Sequence, residues 1–102
     1  MMARLFKVTE NSLAPEYQQG DFVLTIKIPS FFYHYKTDDI VVFDHPSYGR
    51  MIKRVQAIST ENDTLFVIGS HPDSIDSRRF GPIQIQAVLG KVVWHIKKTK
   101  SQ

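Results

Sequence analysis

The sequence predicts an all-β domain, a barrel or sandwich of short strands with one or two helical turns. Three observations carry this expectation. The apolar runs are short, β-branched and aromatic residues dominate them, and turn signals separate them at regular intervals.

The first strand is expected over Ala3–Val8, a short apolar start with a β-branched end. Ser12–Gln19 is expected to hold one helical turn, and Gln19-Gly20-Asp21 then breaks the chain. Phe22–Ile28 alternates, with Val23 on one pleat and the isoleucines flanking Lys27 on the other. Thr37-Asp38-Asp39 makes the next turn. Ile40–Phe43 is a continuous apolar run, the pattern of a strand buried on both faces. After Pro46-Ser47-Tyr48-Gly49, strands are expected over Met51–Ile58 and Thr64–Ile68, parted by Glu61-Asn62-Asp63. Phe80-Gly81-Pro82 turns the chain into a second helical turn before Ala87, and Ala87–Ile96 is the last strand.

The 102 residues suit one domain, 1–102, with a basic flexible tail from about residue 97. At 42% hydrophobic and 23% charged, the composition is that of a folded globular chain with a modest core. The chain has no cysteine, which excludes disulfides, thiolate metal sites and cysteine nucleophiles. No run approaches the roughly 20 apolar residues of a spanning helix, and the N-terminus lacks a signal-like apolar centre. The expectation is a soluble, cytoplasmic protein. His34, His45, His71 and His95 lack the close spacing of metal ligands, so no metal or other cofactor is expected.

Three stretches carry more information than the strand pattern. Asn11-Ser12-Leu13-Ala14-Pro15 leads into Gly20-Asp21-Phe22-Val23. Asp39-Ile40-Val41-Val42-Phe43 leads through His45-Pro46 to Lys53-Arg54-Val55. Gly69-Ser70-His71-Pro72 leads into Ser74-Ile75-Asp76-Ser77-Arg78-Arg79-Phe80-Gly81-Pro82, and Gly90-Lys91-Val92 follows. In order and spacing these resemble the type I signal peptidase family of serine proteases, over about Phe6 to Val93. Within it, His45-Pro46 and the Gly69–Pro72 segment resemble the short forms that mature nickel-type superoxide dismutase.

The resemblance implies a serine endopeptidase with Ser12 as nucleophile and Lys53 as general base. Ser74 matches a serine that steadies the lysine amine. Gly69 matches a close backbone approach to the site, and Asp76 and Arg78 match a supporting ion pair. Leu13, Pro15, Phe31 and Phe32 are candidates for the substrate groove. The chemistry is consistent with this: a serine hydroxyl needs a base, and a lysine serves only when burial lowers its pKa from about 10.4. Lys53 shares its pleat with Met51 and Val55, the inward side of a strand. On the residues alone, Ser12 reads as a turn cap, and Lys53 and Arg54 read as a solvated pair on an edge strand.

Two positions depart from the family. Ser70-His71 stands in place of Asp-Asn. Glu10 stands two residues before Ser12, where the resemblance implies a hydroxyl or a glycine beside the oxyanion. A carboxylate there is unfavourable. Glu10 is therefore expected either to point away, leaving that work to the Ser12 N–H, or to reduce activity.

The implied reaction is removal of an N-terminal leader or propeptide from a precursor protein. The alternative is a catalytically weak peptide-binding module of the same fold. Nucleic-acid binding by a basic β domain requires Phe31, Phe32 and Tyr33 exposed beside lysines, and no such partner is expected. The aromatic cluster is also a candidate for peripheral membrane contact, although core packing is its default role.

Overall fold

A computed structural model describes residues 2–10, 13–27 and 35–98. Its strands are β1 (Met2–Lys7), β2 (Phe22–Lys27), β3 (Ile40–His45), β4 (Gly49–Ser59), β5 (Thr64–Ile68), β6 (Ile83–Gln84) and β7 (Val88–Ile96). A one-turn helix, α1 (Ser77–Phe80), and a 3-10 turn at Ile85–Ala87 lie between β5 and β7. The strands form one antiparallel sheet in the order β1-β2-β7-β3-β4-β5-β6. The fold is all-β. Of the expected barrel or sandwich, a closed barrel is not found: among the described residues the sheet is open, with β1 and β6 as its two ends.

Three irregularities in pairing bend this sheet: at Leu24/Thr25 and Val42/Phe43 against β7, and at Val55/Ala57 against β5. Bulges of this kind raise local twist. The central strand β3 is buried on both sides, as its unbroken apolar run predicts. One face joins Phe6, Val8, Leu13, Tyr17 and Val23 to Ile40, Val42 and Ile52. The other joins Leu65, Val67, Ile83 and Val88 to Val41, Phe43, Met51 and Val55. Residues 8–21 cover the first face, and residues 75–88 cover the second.

The predicted turns at 19–21, 37–39, 46–49 and 61–63 are present, whereas Phe80 ends α1 and Gly81 is its C-cap. Gly49 has φ +77° at the end of the β3–β4 hairpin, a conformation open to glycine at little steric cost. His45 Nδ1 clips that hairpin by accepting from the Ser47 and Tyr48 amides at 3.0 and 3.3 Å. The expected helical turn in 12–19 reduces, in its described part, to one bond from Tyr17 N–H to the Leu13 carbonyl at 3.1 Å. The four-residue helix α1 was not expected. It exists because Asp76 caps it: the carboxylate accepts from Arg78 N–H at 3.0 Å.

Candidate active site

The site is built around Lys53. It sits on β4 opposite Val41, on the face that also carries Met51 and Val55. Strand alternation forces it inward, and its side chain is only 1% exposed. Burial pushes the ammonium below its ordinary pKa. The Glu10 carboxylate opposes that shift, Asp76 adds to the opposition, and Arg78 works against it.

Glu10 points toward Lys53. Its Oε1 lies 3.5 Å from Lys53 Nζ and accepts from the Ile52 backbone N–H at 3.0 Å. Ile52 belongs to one core face and Lys53 to the other. Glu10 therefore arrives from the 8–21 side and reaches the edge of β4. Beside it, a small open pocket lies between segment 6–10 and residues 50–52, lined also by Val23 and Val42. Strand alternation alone could not reveal this contact, because it spans 42 residues of sequence.

The segment after β5 is held from below by Asp76, which is fully buried. Its carboxylate accepts from Gly69 N–H at 2.8 Å and pairs with Arg78 Nη2 at 2.5 Å. Arg78 also donates to the His71 carbonyl at 2.7 Å. Desolvation would raise the Asp76 pKa, but the Arg78 side chain and the Gly69 and Arg78 amides outweigh it, so the carboxyl lies below its usual range. Ser77 Oγ accepts from Val67 N–H at 2.9 Å and ties this segment to β5. Ser77 was not singled out in the sequence; a hydroxyl next to the Asp76 cap was the available signal. Ser74, half-buried, accepts from His71 N–H at 3.4 Å.

On the other side, Leu13 is buried at 1% exposure and Pro15 is exposed after a cis Ala14–Pro15 bond. Asp21 anchors the return of this segment. It accepts from the Gln18 and Lys98 amides at 3.0 Å each and meets His95 Nε2 at 2.7 Å. Desolvation opposes ionisation there, but these partners hold the carboxyl down to about 2. Ser12, Phe31 and Phe32 lie outside the described residues.

Among the described residues, no group of three His, Asp or Glu is placed to hold a metal, and no helix is long and apolar enough to cross a membrane. Comparison with curated proteins finds no match. The family described as "Signal peptidase, peptidase S26" matches residues 1–62 and 58–96, nearly the whole chain. A buried lysine on β4 is thus found within a match of that extent, and the chain belongs to the signal peptidase family, peptidase S26.

Proposed function

We propose that this chain is a serine endopeptidase that uses a Ser12–Lys53 dyad to remove an N-terminal leader or propeptide from a precursor protein. The observation that carries the reading is the burial of Lys53 within a peptidase-family chain. Burial lowers the cost of the neutral amine, the form a base requires.

In this reading the Ser12 hydroxyl attacks the scissile carbonyl carbon, and neutral Lys53 takes its proton. The tetrahedral intermediate collapses, the C–N bond breaks, and Lys53 returns the proton to the departing amine. Water then attacks the acyl-enzyme with Lys53 again as base. The Ser12 backbone N–H is the candidate oxyanion donor. The precursor lies extended along the edge of β4, and the pocket beside Glu10 accepts one of its side chains. Gly69, Asp76 and Arg78 serve as scaffold, and Ser74 as a support for the amine. A leader of a nickel-type superoxide dismutase is the precursor class to try first, from the resemblance at His45-Pro46 and Gly69–Pro72.

The test is mass spectrometry of the purified full chain, wild type against Ser12→Ala, incubated with N-terminal precursor peptides. Cleavage by wild type only, after a small residue, is the expected outcome. Retained cleavage in Ser12→Ala or in Lys53→Ala would refute the dyad. A second reading, a peptide-binding module without efficient catalysis, draws on the Glu10–Lys53 ion pair, which favours the protonated lysine. Peptide binding by both forms without cleavage by either would select it.

A further inference from the structure

One carboxylate holds both the strand edge and the lysine. Glu10 Oε1 accepts from Ile52 N–H at 3.0 Å and stands 3.5 Å from Lys53 Nζ. The two partners differ in exposure. Lys53 is 1% exposed and enclosed by the core, whereas the Glu10 side chain is 29% exposed and sits where core meets solvent. Glu10 is the member able to leave.

The place it occupies is a strand edge. β5 pairs with β4 only from Arg54 onward, so residues 49–53 run past the end of β5. Ile52 lies opposite Val42 on β3 and gives its N–H to Glu10 rather than across that pair. A peptide adding a strand to this edge needs that N–H. The open pocket between segment 6–10 and residues 50–52 lies at the same edge, with Glu10 in its wall.

We propose that Glu10 is a latch on the dyad: a positioning residue that holds Lys53 as the ammonium in the free protein and is displaced from Ile52 N–H and Lys53 together when a substrate strand pairs with β4. The proposal rests on the reading of Lys53 as the base. A peptide carbonyl then replaces a carboxylate at Ile52 N–H. The buried ammonium loses its ion-pair partner, and an unpaired buried charge is costly, so the proton leaves and the amine becomes the base. Among the described residues, the other charges that act on Lys53 are Asp76 and Arg78. They neutralise each other through their own ion pair, and Gly69 N–H pins Asp76, so neither can be exchanged for substrate. Peptide binding and base activation become one event, and the resting protein is protected from indiscriminate hydrolysis.

The test compares wild type with Glu10→Gln in the full chain. The amide keeps an acceptor for Ile52 N–H and removes the charge. Two readouts are needed. The first is the titration of Lys53 in the free protein, followed by NMR of 13C- and 15N-lysine-labelled chain and assigned by its absence in Lys53→Met. The expected result is a midpoint lowered by about one pH unit or more in Glu10→Gln. The second is the pH profile for a peptide found in the cleavage screen. The acid limb of kcat/KM reports the free enzyme and that of kcat reports the complex. The kcat/KM limb should move to lower pH, with about a tenfold gain along it, while the kcat limb stays in place. Glu10→Ser, which removes both charge and reach, should change both readouts in the same direction.

An unmoved Lys53 midpoint overturns the latch whatever the cleavage assay gives. Movement of both limbs together overturns it as well, because Glu10 would then still face Lys53 in the complex. A lowered midpoint with no cleavage by any variant overturns the protease reading and leaves the hold of Glu10 on Lys53 standing.

Discussion

A lysine ammonium taken out of water is tolerated only with compensation, and at Lys53 the main compensating charge among the described residues is the Glu10 carboxylate, itself 29% exposed. That asymmetry makes a prediction. Lys53→Met replaces the buried cation with an apolar side chain of similar length, and Glu10, partly exposed, keeps the Ile52 N–H as a partner. Stability in urea should stay within about 1 kcal/mol of wild type or rise. Peptide cleavage should fall by about 10³-fold or more. Loss of stability well beyond that margin would mean that Lys53 is kept for the fold. Asp21 shows the opposite economy: its carboxylate is buried but surrounded by donors. Its folded pKa of about 2 lies below the unfolded value near 3.9. Its contribution is therefore complete above about pH 4 and is lost as pH falls through about 2. Asp21→Asn should cost about 1.5–3 kcal/mol at pH 7, and the gap to wild type should close between about pH 4 and 2. Urea melts across that range check the sign.

The element after β5 is organised by one residue. Asp76 caps α1, holds Gly69 N–H and pairs with Arg78, so three parts of the 69–78 segment depend on one carboxylate. Asp76→Ala should cost about 3 kcal/mol and expose the Gly69 amide to hydrogen exchange, because it leaves both a helix start and a buried donor unmet. Asp76→Asn should recover part of this. β7 depends on a close approach instead. A Cβ on Gly90 would lie 2.6 Å from Thr25 Oγ1 and 2.7 Å from Thr25 Cβ. Thr25 is itself fixed, buried at 1% exposure with its hydroxyl donating to the Arg4 carbonyl at 3.2 Å. Gly90→Ala should therefore destabilise by about 1–3 kcal/mol, read from a shift in the urea midpoint. Gly90→Ala with Thr25→Ala should recover only the part due to Oγ1, because the Thr25 Cβ, 2.7 Å away, remains in place.

At the scale of the whole molecule, the open sheet leaves one face of β1, β2 and β7 exposed to solvent. Leu5, Leu24 and Trp94 align across the three strands, and Phe22 and Ile96 form the neighbouring row. Trp94 is 65% exposed and is the single tryptophan of the chain. Its emission in the native protein should be that of a water-exposed indole and should be quenched readily by iodide. Trp94→Ser should change stability by no more than about 0.5 kcal/mol. A blue-shifted, protected indole would mean that this face is covered in solution.

Local pattern determined the strands. Ile40–Phe43 is buried on both faces because four consecutive apolar residues leave no side for water. Val23 and Thr25 point inward because side chains alternate. Lys53 shares its pleat with Met51 and Val55 for the same reason, but that pattern alone also allowed a solvated Lys53–Arg54 pair; the family resemblance is what pointed to a buried lysine. The motif spacing likewise marked the signal peptidase family. Tertiary structure decided what periodicity cannot encode. Whether the strands close into a barrel depends on the two ends of the sheet meeting, and β1 and β6 do not pair. α1 rests on one capping carboxylate rather than on an apolar helical face. The partner of Lys53 is a carboxylate far away in sequence, brought to the β4 edge by the segment that covers the opposite face of the sheet. A side chain's own strand dictates which way it points; which charge it meets there is set by the packing of a different segment.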